Sequence, residues 1–208
     1  MPYPIKLVDI NNGFSLYIPD PVLLKSAYEN LLAKDKTTAF PFWAKIWPSS
    51  KAIASFLINE PHFIESKCVL EIGAGIGLPS LMLAHLALEV VISDHAPESV
   101  FLIKKNIQHI GAHNVKAICL DWNDFPENIN ADLVLLSDIN YDPIQFDSLF
   151  TMIQKFIKKG STIIISTPQR ITATPFAEAL RPFIKQTFFQ SVEDGQKFVD
   201  IHILILSM

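Results

Sequence analysis

A short apolar run that ends in an acid and leads into three alternate glycines is the feature that most constrains this fold. Val69 and Leu70 precede Glu71, and a helix-like stretch follows the glycines Gly73, Gly75 and Gly77. The order predicts a strand, a glycine turn and a helix, the first unit of a nucleotide-binding α/β sheet with its ligand at the strand's carboxyl end. Glycine suits such a turn because it lacks a Cβ, so the backbone adopts positive φ and a ligand can lie against it.

The spacing of the glycines bears on which ligand the turn could take. A dinucleotide fingerprint needs its third glycine three positions after the second, and Leu78 stands at that position. A NAD-dependent oxidoreductase is therefore disfavoured. On the glycines alone, the alternative interpretation is an ordinary strand-to-helix turn that binds no ligand.

Apolar runs alternate with helical patterns from about residue 50 onward, which predicts a parallel sheet covered by helices on both faces. We predict strands at 68–71, 90–93, 115–120, 133–136 and 162–166. Helices are predicted at 50–59, 78–87, 97–108, 143–157 and 174–182. Residues 187–192 and 197–206 flank a turn and predict an antiparallel hairpin that closes the sheet.

The amino-terminal segment differs from the rest of the chain. Residues 5–8 and 14–18 flank an Asn11-Asn12-Gly13 turn and predict a small hairpin, and 21–33 predicts one helix. A length of 208 residues suits one domain. We therefore expect a single domain over 1–208, with an extension at 1–40 and the core at 41–208.

Composition bears mainly on partners and location. The net charge is −4 and no basic stripe is present, so nucleic acid is not an expected partner. No secretory signal or membrane-spanning stretch is apparent, so we expect a cytoplasmic protein without a membrane partner. Cys68 and Cys119 are expected to be free thiols, and His109 and His113 lack the further ligand that a metal site needs.

Acidic residues stand at the ends of the next two strands. Asp94 ends the run 90–94, where a Rossmann-type sheet places the carboxylate that accepts from both ribose hydroxyls; capping of the helix that begins at Pro97 is the alternative. Asp121 follows the third strand and could accept from an adenine amino group while Trp122 shields the base. A solvated loop acid beside a packing Trp is the alternative there.

Asp138 and Tyr141 follow the fourth strand, where both side chains could face the reacting group of a bound ligand and an amine acceptor. A lysine amine, with an ordinary pKa of about 10.4, must lose its proton before it attacks. Asp138 could orient the cationic amine and Tyr141 could shield it from water, with the proton lost to solvent. The alternative is a plain loop start, although Asp142-Pro143 already supplies a helix cap.

Two further candidates flank this edge of the sheet. Trp47 precedes the first helix of the core and could cover the ligand or belong to the core. Arg170 follows the fifth strand and could shape the substrate entrance, with a surface position as the alternative.

Taken in order, these motifs resemble the methyltransferase family that groups nicotinamide N-methyltransferase-like enzymes with seven-strand protein lysine methyltransferases. The resemblance covers roughly residues 40 to 170 and implies a Rossmann-like seven-strand sheet whose last strand inserts antiparallel. It implies S-adenosylmethionine (SAM) as cofactor and S-adenosylhomocysteine as product, and it assigns Asp138 and Tyr141 to the substrate side. It assigns eight positions to the cofactor: Trp47, Glu71, Gly73, Gly75, Gly77, Asp94, Asp121 and Trp122. We add Ser137, which stands beside Asp138, to this predicted cofactor site.

The resemblance implies an N-methyltransferase whose acceptor is a lysine of a partner protein. Methylation of a small amine or pyridine nitrogen is the alternative reaction. A catalytically silent interaction module with the same fold is the alternative of another class. Asn140 stands where an apolar residue is common in the family and adds a polar group beside the presumed amine site. The sequence does not indicate an oligomeric state.

Overall fold

The structure is a computed structural model and describes residues 3–11, 13–169 and 174–208. Two residues named in the predictions lie outside the described residues: Asn12 of the amino-terminal turn, and Arg170 after the fifth predicted strand. The strands are β1 Ile5–Asn11, β2 Phe14–Pro19, β3 Cys68–Ile72, β4 Glu89–Asp94, β5 Val115–Cys119, β6 Leu133–Ser137, β7 Thr162–Pro168, β8 Ile184–Asp194 and β9 Lys197–Leu206. The helices are α1 Pro21–Lys34, α2 Pro48–Asn59, α3 Leu78–Leu83, α4 Pro97–Ile110, α5 Phe146–Lys158 and α6 Thr174–Leu180.

Seven strands form one mixed sheet in the order β5-β4-β3-β6-β7-β9-β8. The strands β3 to β7 are parallel, while β9 runs antiparallel between β7 and β8. The predicted fold class, with its carboxyl-terminal antiparallel hairpin, is confirmed. The chain leaves β3 toward β4 on one side and later returns to β6 on the other, which opens a crevice at the carboxyl end of β3.

Alternate side chains of the parallel strands enter two separate cores. Val69 belongs to the core that α2, α3 and α4 cover. Leu70 and Ile72 belong to the core beneath α5 and α6. Leu133 and Val134 of the central strand β6 also face opposite cores, and both are almost fully buried. Apolar runs without polar alternation are expected of strands covered on both faces.

Helix α3 is shorter than the predicted 78–87. It ends at Leu83 and gives way to turns. The side-chain amide of Asn114 donates to the carbonyl oxygens of Ala84 at 2.8 Å and Ala87 at 3.0 Å, which satisfies acceptors that a longer helix would have used. The predicted helix 143–157 likewise begins as a 3₁₀ turn, Pro143–Gln145, before α5.

The amino-terminal hairpin β1–β2 packs on α4. The backbone N–H of Tyr17 donates to the Asn106 side chain at 2.7 Å, and the Asn106 amide donates back to the Tyr17 carbonyl at 2.9 Å. Helix α1 follows, capped by Asp20, and buries none of its residues. In the part of the chain that the structure describes, no helix is long and apolar enough to cross a membrane.

Candidate active site

A cavity of about 980 Å³ opens at the carboxyl end of β3, within the size range of small-molecule sites. Its floor is the glycine turn after β3, and one side is the loop after β6. The predicted residues that line it are Trp47, Gly73, Gly75, Asp94, Trp122, Ser137, Asp138 and Tyr141. The structure therefore brings eight predicted positions, drawn from five segments of the chain, to one cavity.

The glycine turn has the backbone that the sequence predicted. Gly73, Gly75 and Gly77 have φ of 64°, 59° and 74°, in the left-handed region that favours glycine. A Cβ on Gly75 would lie 3.1 Å from the carbonyl oxygen of Trp43, which is backbone and cannot rotate away. Gly77 does not line the cavity, because it packs against Ile92 inside the sheet.

Asp94 holds the glycine turn from the end of β4. One carboxylate oxygen accepts from the N–H of Gly75 at 2.7 Å, and the other accepts from the N–H of Ala96 at 2.9 Å. The side chain lines the cavity although the residue is only 3% exposed. Each carboxylate oxygen has two lone pairs, so acceptor capacity remains for a ligand hydroxyl.

Two serines that the sequence analysis did not single out fix the same turn. The Ser99 hydroxyl donates to the Gly75 carbonyl at 2.6 Å, and the Ser93 hydroxyl donates to the Glu71 carbonyl at 2.9 Å. Both side chains are fully buried. Ser99 lies in the first turn of α4, so only the packing of that helix against the glycine turn could have revealed its role.

Glu71 lies buried beneath the glycine turn and does not reach the cavity wall. The pKa of its carboxyl is raised to about 8, chiefly by burial; the Ser80 hydroxyl and N–H act against this rise, and the nearby Asp94 charge adds a smaller part of it. Among the described residues no contact of the Glu71 oxygens or the Ser80 hydroxyl reaches full hydrogen-bond geometry. Glu71 is therefore neutral at pH 7, and its nearness to Ser80 is a weak interaction.

The loop after β6 carries Ser137, Asp138 and Tyr141. The Ser137 hydroxyl is buried without a hydrogen-bond partner among the described residues. Asp138 has φ of 57°, a left-handed conformation that costs a non-glycine residue on the order of 1–3 kcal/mol. Its N–H donates to the Ser166 carbonyl of β7 at 2.9 Å, which fixes that conformation.

Tyr141 stands at the cavity mouth and is 47% exposed. Its pKa is raised by partial burial and then by the charges of Asp94, Asp142 and Asp138. The phenol therefore keeps its proton at neutral pH and can donate a hydrogen bond.

Asn140 turns away from this loop's other side chains. It is buried, and its Oδ1 accepts from the Thr167 hydroxyl at 2.7 Å at the end of β7. It does not line the cavity. The polar group expected beside the presumed amine site is thus directed into the protein.

Aromatic rings surround the cavity mouth near Trp47. The Trp47 indole N–H donates to the Phe42 carbonyl at 2.8 Å, which sets the orientation of its ring. Lys45 Nζ lies 4.8 Å from that ring and 2.9 Å from a carboxylate oxygen of Asp194 in the β8–β9 hairpin. The far end of the sheet is thereby tied to the segment that carries Trp47.

Trp122 and Asp121 occupy different positions relative to the cavity. Trp122 lines the cavity, and its indole N–H donates to the Gln145 side chain at 3.1 Å. Asp121 is exposed and caps the 3₁₀ turn Trp122–Asp124, because one of its oxygens accepts from the Asn123 N–H at 2.8 Å. Asp121 does not line the cavity, so its contact with adenine stays a prediction.

The segment before Trp47 contributes more of the cavity than the sequence indicated. Residues before Trp47 that line it are Tyr3, Leu31, Thr38, Ala39, Phe40, Pro41, Phe42, Trp43, Lys45 and Ile46. The density of aromatic residues between 40 and 47 was a usable signal. The presence of Tyr3 and Leu31 in the cavity wall had no signal in the sequence, because only the tertiary fold brings these residues to the site.

Residues 3–11, 13–169 and 174–208 contain no group of three His, Cys, Asp or Glu side chains that could hold a metal ion. His109 instead contacts the Ser15 hydroxyl at 3.0 Å.

Comparison with known proteins gives a family match. The family described as "Lysine methyltransferase" matches residues 26–194. The calmodulin-lysine N-methyltransferase of Arabidopsis thaliana is 33% identical over 151 residues, which are 67% of this chain and 48% of that protein. The human histone-arginine methyltransferase METTL23 is 27% identical over 142 residues, which are 65% of this chain and 75% of that protein. The chain thus spans about half the length of the first of these relatives.

Solved structures share the fold. The N-methyltransferase NodS of Bradyrhizobium japonicum WM9, in complex with S-adenosylhomocysteine, superposes with a TM-score of 0.61 at 14% identity. The match covers 87% of this chain and 98% of that one.

Proposed function

The chain belongs to the lysine methyltransferase family, and from this premise we propose that it transfers a methyl group from SAM to a lysine side chain of a partner protein. Membership confirms the predicted family and, with it, SAM as the cofactor class. The observation that best supports the proposed reaction is that the glycine turn and the Asp138–Tyr141 loop line one cavity.

The cavity floor fits a cofactor with several polar parts. The bare backbone of Gly73 and Gly75 would accommodate the methionyl and ribose parts, and Asp94 would accept from the ribose hydroxyls. Trp47 and Trp122 would wall the cofactor, and the buried hydroxyl of Ser137 has no partner within the described chain and could supply a further contact. SAM carries the methyl group on a positively charged sulfur. When a nucleophile attacks the methyl carbon, the carbon–sulfur bond breaks and S-adenosylhomocysteine is the leaving group.

Glu71 and Gly77 would act from below the cavity. Gly77 allows the turn to pack on β4, and Glu71 stands beneath the turn as a neutral carboxyl. Both would shape the cofactor floor without touching the ligand. The contact between Asp121 and adenine is also part of this proposal, and it requires the loop that carries Asp121 to close on the bound cofactor.

The acceptor side would orient and desolvate an amine. The Asp138 carboxylate attracts a lysine ammonium, and the fixed backbone of Asp138 holds that charge at the cavity edge. Partial desolvation beside Tyr141 lowers the pKa of the amine, so its proton can leave to water. The freed lone pair is then positioned for an in-line attack, which is the main contribution that methyl transfer needs from the protein.

Methylation of a small amine by the same residues is the second candidate reaction. The half-exposed Tyr141 favours the protein acceptor, because a mouth open to solvent admits a side chain whose backbone stays outside. Incubation of the purified protein and its Asp138→Asn variant with labelled SAM, a protein fraction and a metabolite fraction separates the two reactions. Label that enters only metabolites would reject the protein acceptor.

Calorimetry with S-adenosylhomocysteine tests the cofactor site itself. We expect binding in the micromolar range, and no binding at millimolar ligand would favour the silent interaction module. A protein partner and a cytoplasmic location remain part of the proposal, and fractionation of cells that express the protein tests the location.

A further inference from the structure

Phe42 lies between the two aromatic residues already assigned to the site. Its ring centroid is 5.8 Å from that of Tyr141 on the proposed acceptor side and 6.4 Å from that of Trp47 on the proposed cofactor side. All three residues line the cavity together with Asp138. Phe42 therefore belongs to the wall that joins the two halves of the site.

The Phe42 ring is held from behind by other rings and remains open to solvent. Phe40 contacts it edge-on with centroids 5.1 Å apart, and Tyr28 of α1 contacts Phe40 at 5.2 Å. Phe42 is nevertheless 51% exposed, more than a ring that serves only as core. Its position is thus supported while part of its surface is free for a ligand.

The charges at this mouth suit a cationic ligand. The Trp47 ring already carries one ammonium, that of Lys45 at 4.8 Å, which demonstrates the geometry of a cation over a ring at this place. Asp194 pairs with the same ammonium at 2.9 Å and offsets its charge. Asp138 adds a negative charge on the acceptor side.

Aromatic walls discriminate between ammonium groups by their degree of methylation. An unmethylated ammonium has three N–H donors and prefers oxygen acceptors or water. Each methyl group removes one donor and adds apolar surface, so a methylated ammonium loses less when it leaves water and gains from ring faces.

We propose that Phe42 is a specificity-determining residue that, with Tyr141 and Trp47, makes the acceptor channel favour amines that already carry methyl groups. This inference rests on the proposed function, and it extends it to the degree of methylation. A lysine methylated once would bind better than before, so the same site would add the second and third methyl groups, with one cofactor molecule consumed and one proton released to water in each round.

The test measures binding rather than turnover. The protein saturated with S-adenosylhomocysteine is titrated by calorimetry with N-acetyl-lysine methylamide and with its ε-mono-, di- and trimethylated forms. We expect the trimethylated probe to bind at least about threefold more tightly than the unmethylated one. Phe42→Leu keeps an apolar side chain without a ring and should bring that ratio close to one, as should Phe42→Ala.

Phe101→Ala is the matched control, because Phe101 is an exposed phenylalanine on α4 that does not line the cavity. It should leave the ratio unchanged and should bind S-adenosylhomocysteine as the parent does, and each Phe42 variant is titrated at saturating S-adenosylhomocysteine. Equal or tighter binding of the unmethylated probe, persistence of the preference in Phe42→Leu, or no binding of any probe overturns the inference. Failure to bind S-adenosylhomocysteine would instead reject the proposed function at an earlier step.

Discussion

Asp94 accepts a hydrogen bond from the backbone N–H of Gly75 at 2.7 Å, so the carboxylate proposed to hold the ribose also fixes the glycine turn beneath it. The second oxygen of Asp94 is held by the N–H of Ala96, which begins the approach to α4. One side chain therefore joins β4, the turn after β3 and the start of α4. We therefore expect cofactor binding and local stability to be coupled through this carboxylate.

Replacement of Asp94 should therefore reduce both stability and cofactor affinity. In Asp94→Ala two buried N–H groups lose their acceptor, which costs on the order of 1–3 kcal/mol for each group. We expect a lower free energy of unfolding and at least about a tenfold loss of affinity for S-adenosylhomocysteine, measured by denaturant titration and calorimetry. Asp200→Ala, at an exposed acid on β9, should change neither. Unchanged affinity in Asp94→Ala would remove this residue from the cofactor site.

Alanine substitutions at Gly75 and Gly111 distinguish the cost of backbone strain from the cost of steric crowding. Both have positive φ, 59° and 65°, so alanine is strained by a similar amount at each. A Cβ on Gly75 meets the Trp43 carbonyl at 3.1 Å, whereas one on Gly111 meets nothing within 4 Å. Gly111→Ala should cost roughly 1 kcal/mol of stability and leave cofactor affinity intact.

Gly75→Ala should lose more stability than Gly111→Ala and should also weaken S-adenosylhomocysteine binding by at least about tenfold, because Trp43 or the turn must move. Denaturant titration and calorimetry on both variants check this. Equal losses in the two variants would show that the close approach to Trp43 has no energetic weight.

Sequence patterns predicted the sheet well because they report local properties. The run 133–136 is apolar at every position, and such a run has few alternatives to a buried central strand. The glycine turn was predictable for the same reason, since three alternate glycines allow the positive φ values that a tight turn requires locally. The left-handed conformation of Asp138 was not predictable from the sequence, because a hydrogen bond to Ser166 of another strand fixes it.

Contacts between distant segments explain most of what the sequence did not indicate. Lys45 and Asp194 are 149 positions apart and meet only because the β8–β9 hairpin returns to α2. The approach of Phe42 to Tyr141 depends in the same way on how the segment before α2 lies over the sheet edge. Asp121 illustrates the opposite case: a solvated loop acid was the open alternative, and the structure places Asp121 at an exposed position where it accepts a local hydrogen bond from the Asn123 N–H.

Glu71 should make stability depend on pH. The unfolded chain releases this proton near the ordinary pKa of 4.5, whereas the folded protein keeps it until about pH 8. Between these values the folded state binds more protons, so stability is highest below pH 4.5 with respect to this group and falls as the pH rises through 8. The loss between pH 5 and 8 should be on the order of 3 kcal/mol.

Glu71→Gln removes the titration and should flatten this part of the stability profile, measured by denaturant unfolding at pH 5, 6.5 and 8. Glu65→Gln, at an exposed acid before β3, should keep the slope of the parent protein. A parent profile that rises with pH over this range, or an unchanged slope in Glu71→Gln, would contradict a neutral buried Glu71.

Asp138→Asn should separate acceptor chemistry from folding and cofactor binding. Asparagine tolerates the left-handed backbone of residue 138 about as well as aspartate does, so the φ of 57° adds no new strain. The variant removes the negative charge that would attract the ammonium, and we expect methyl transfer into a protein fraction to fall by about a hundredfold or more while S-adenosylhomocysteine affinity stays within about twofold. Asp142→Asn is the matched control, because Asp142 caps the N–H of Ile144 in the same loop and an asparagine can do the same. Transfer that survives in Asp138→Asn but fails in Asp142→Asn would move the acceptor site away from Asp138, since the two substitutions remove the same charge from neighbouring positions.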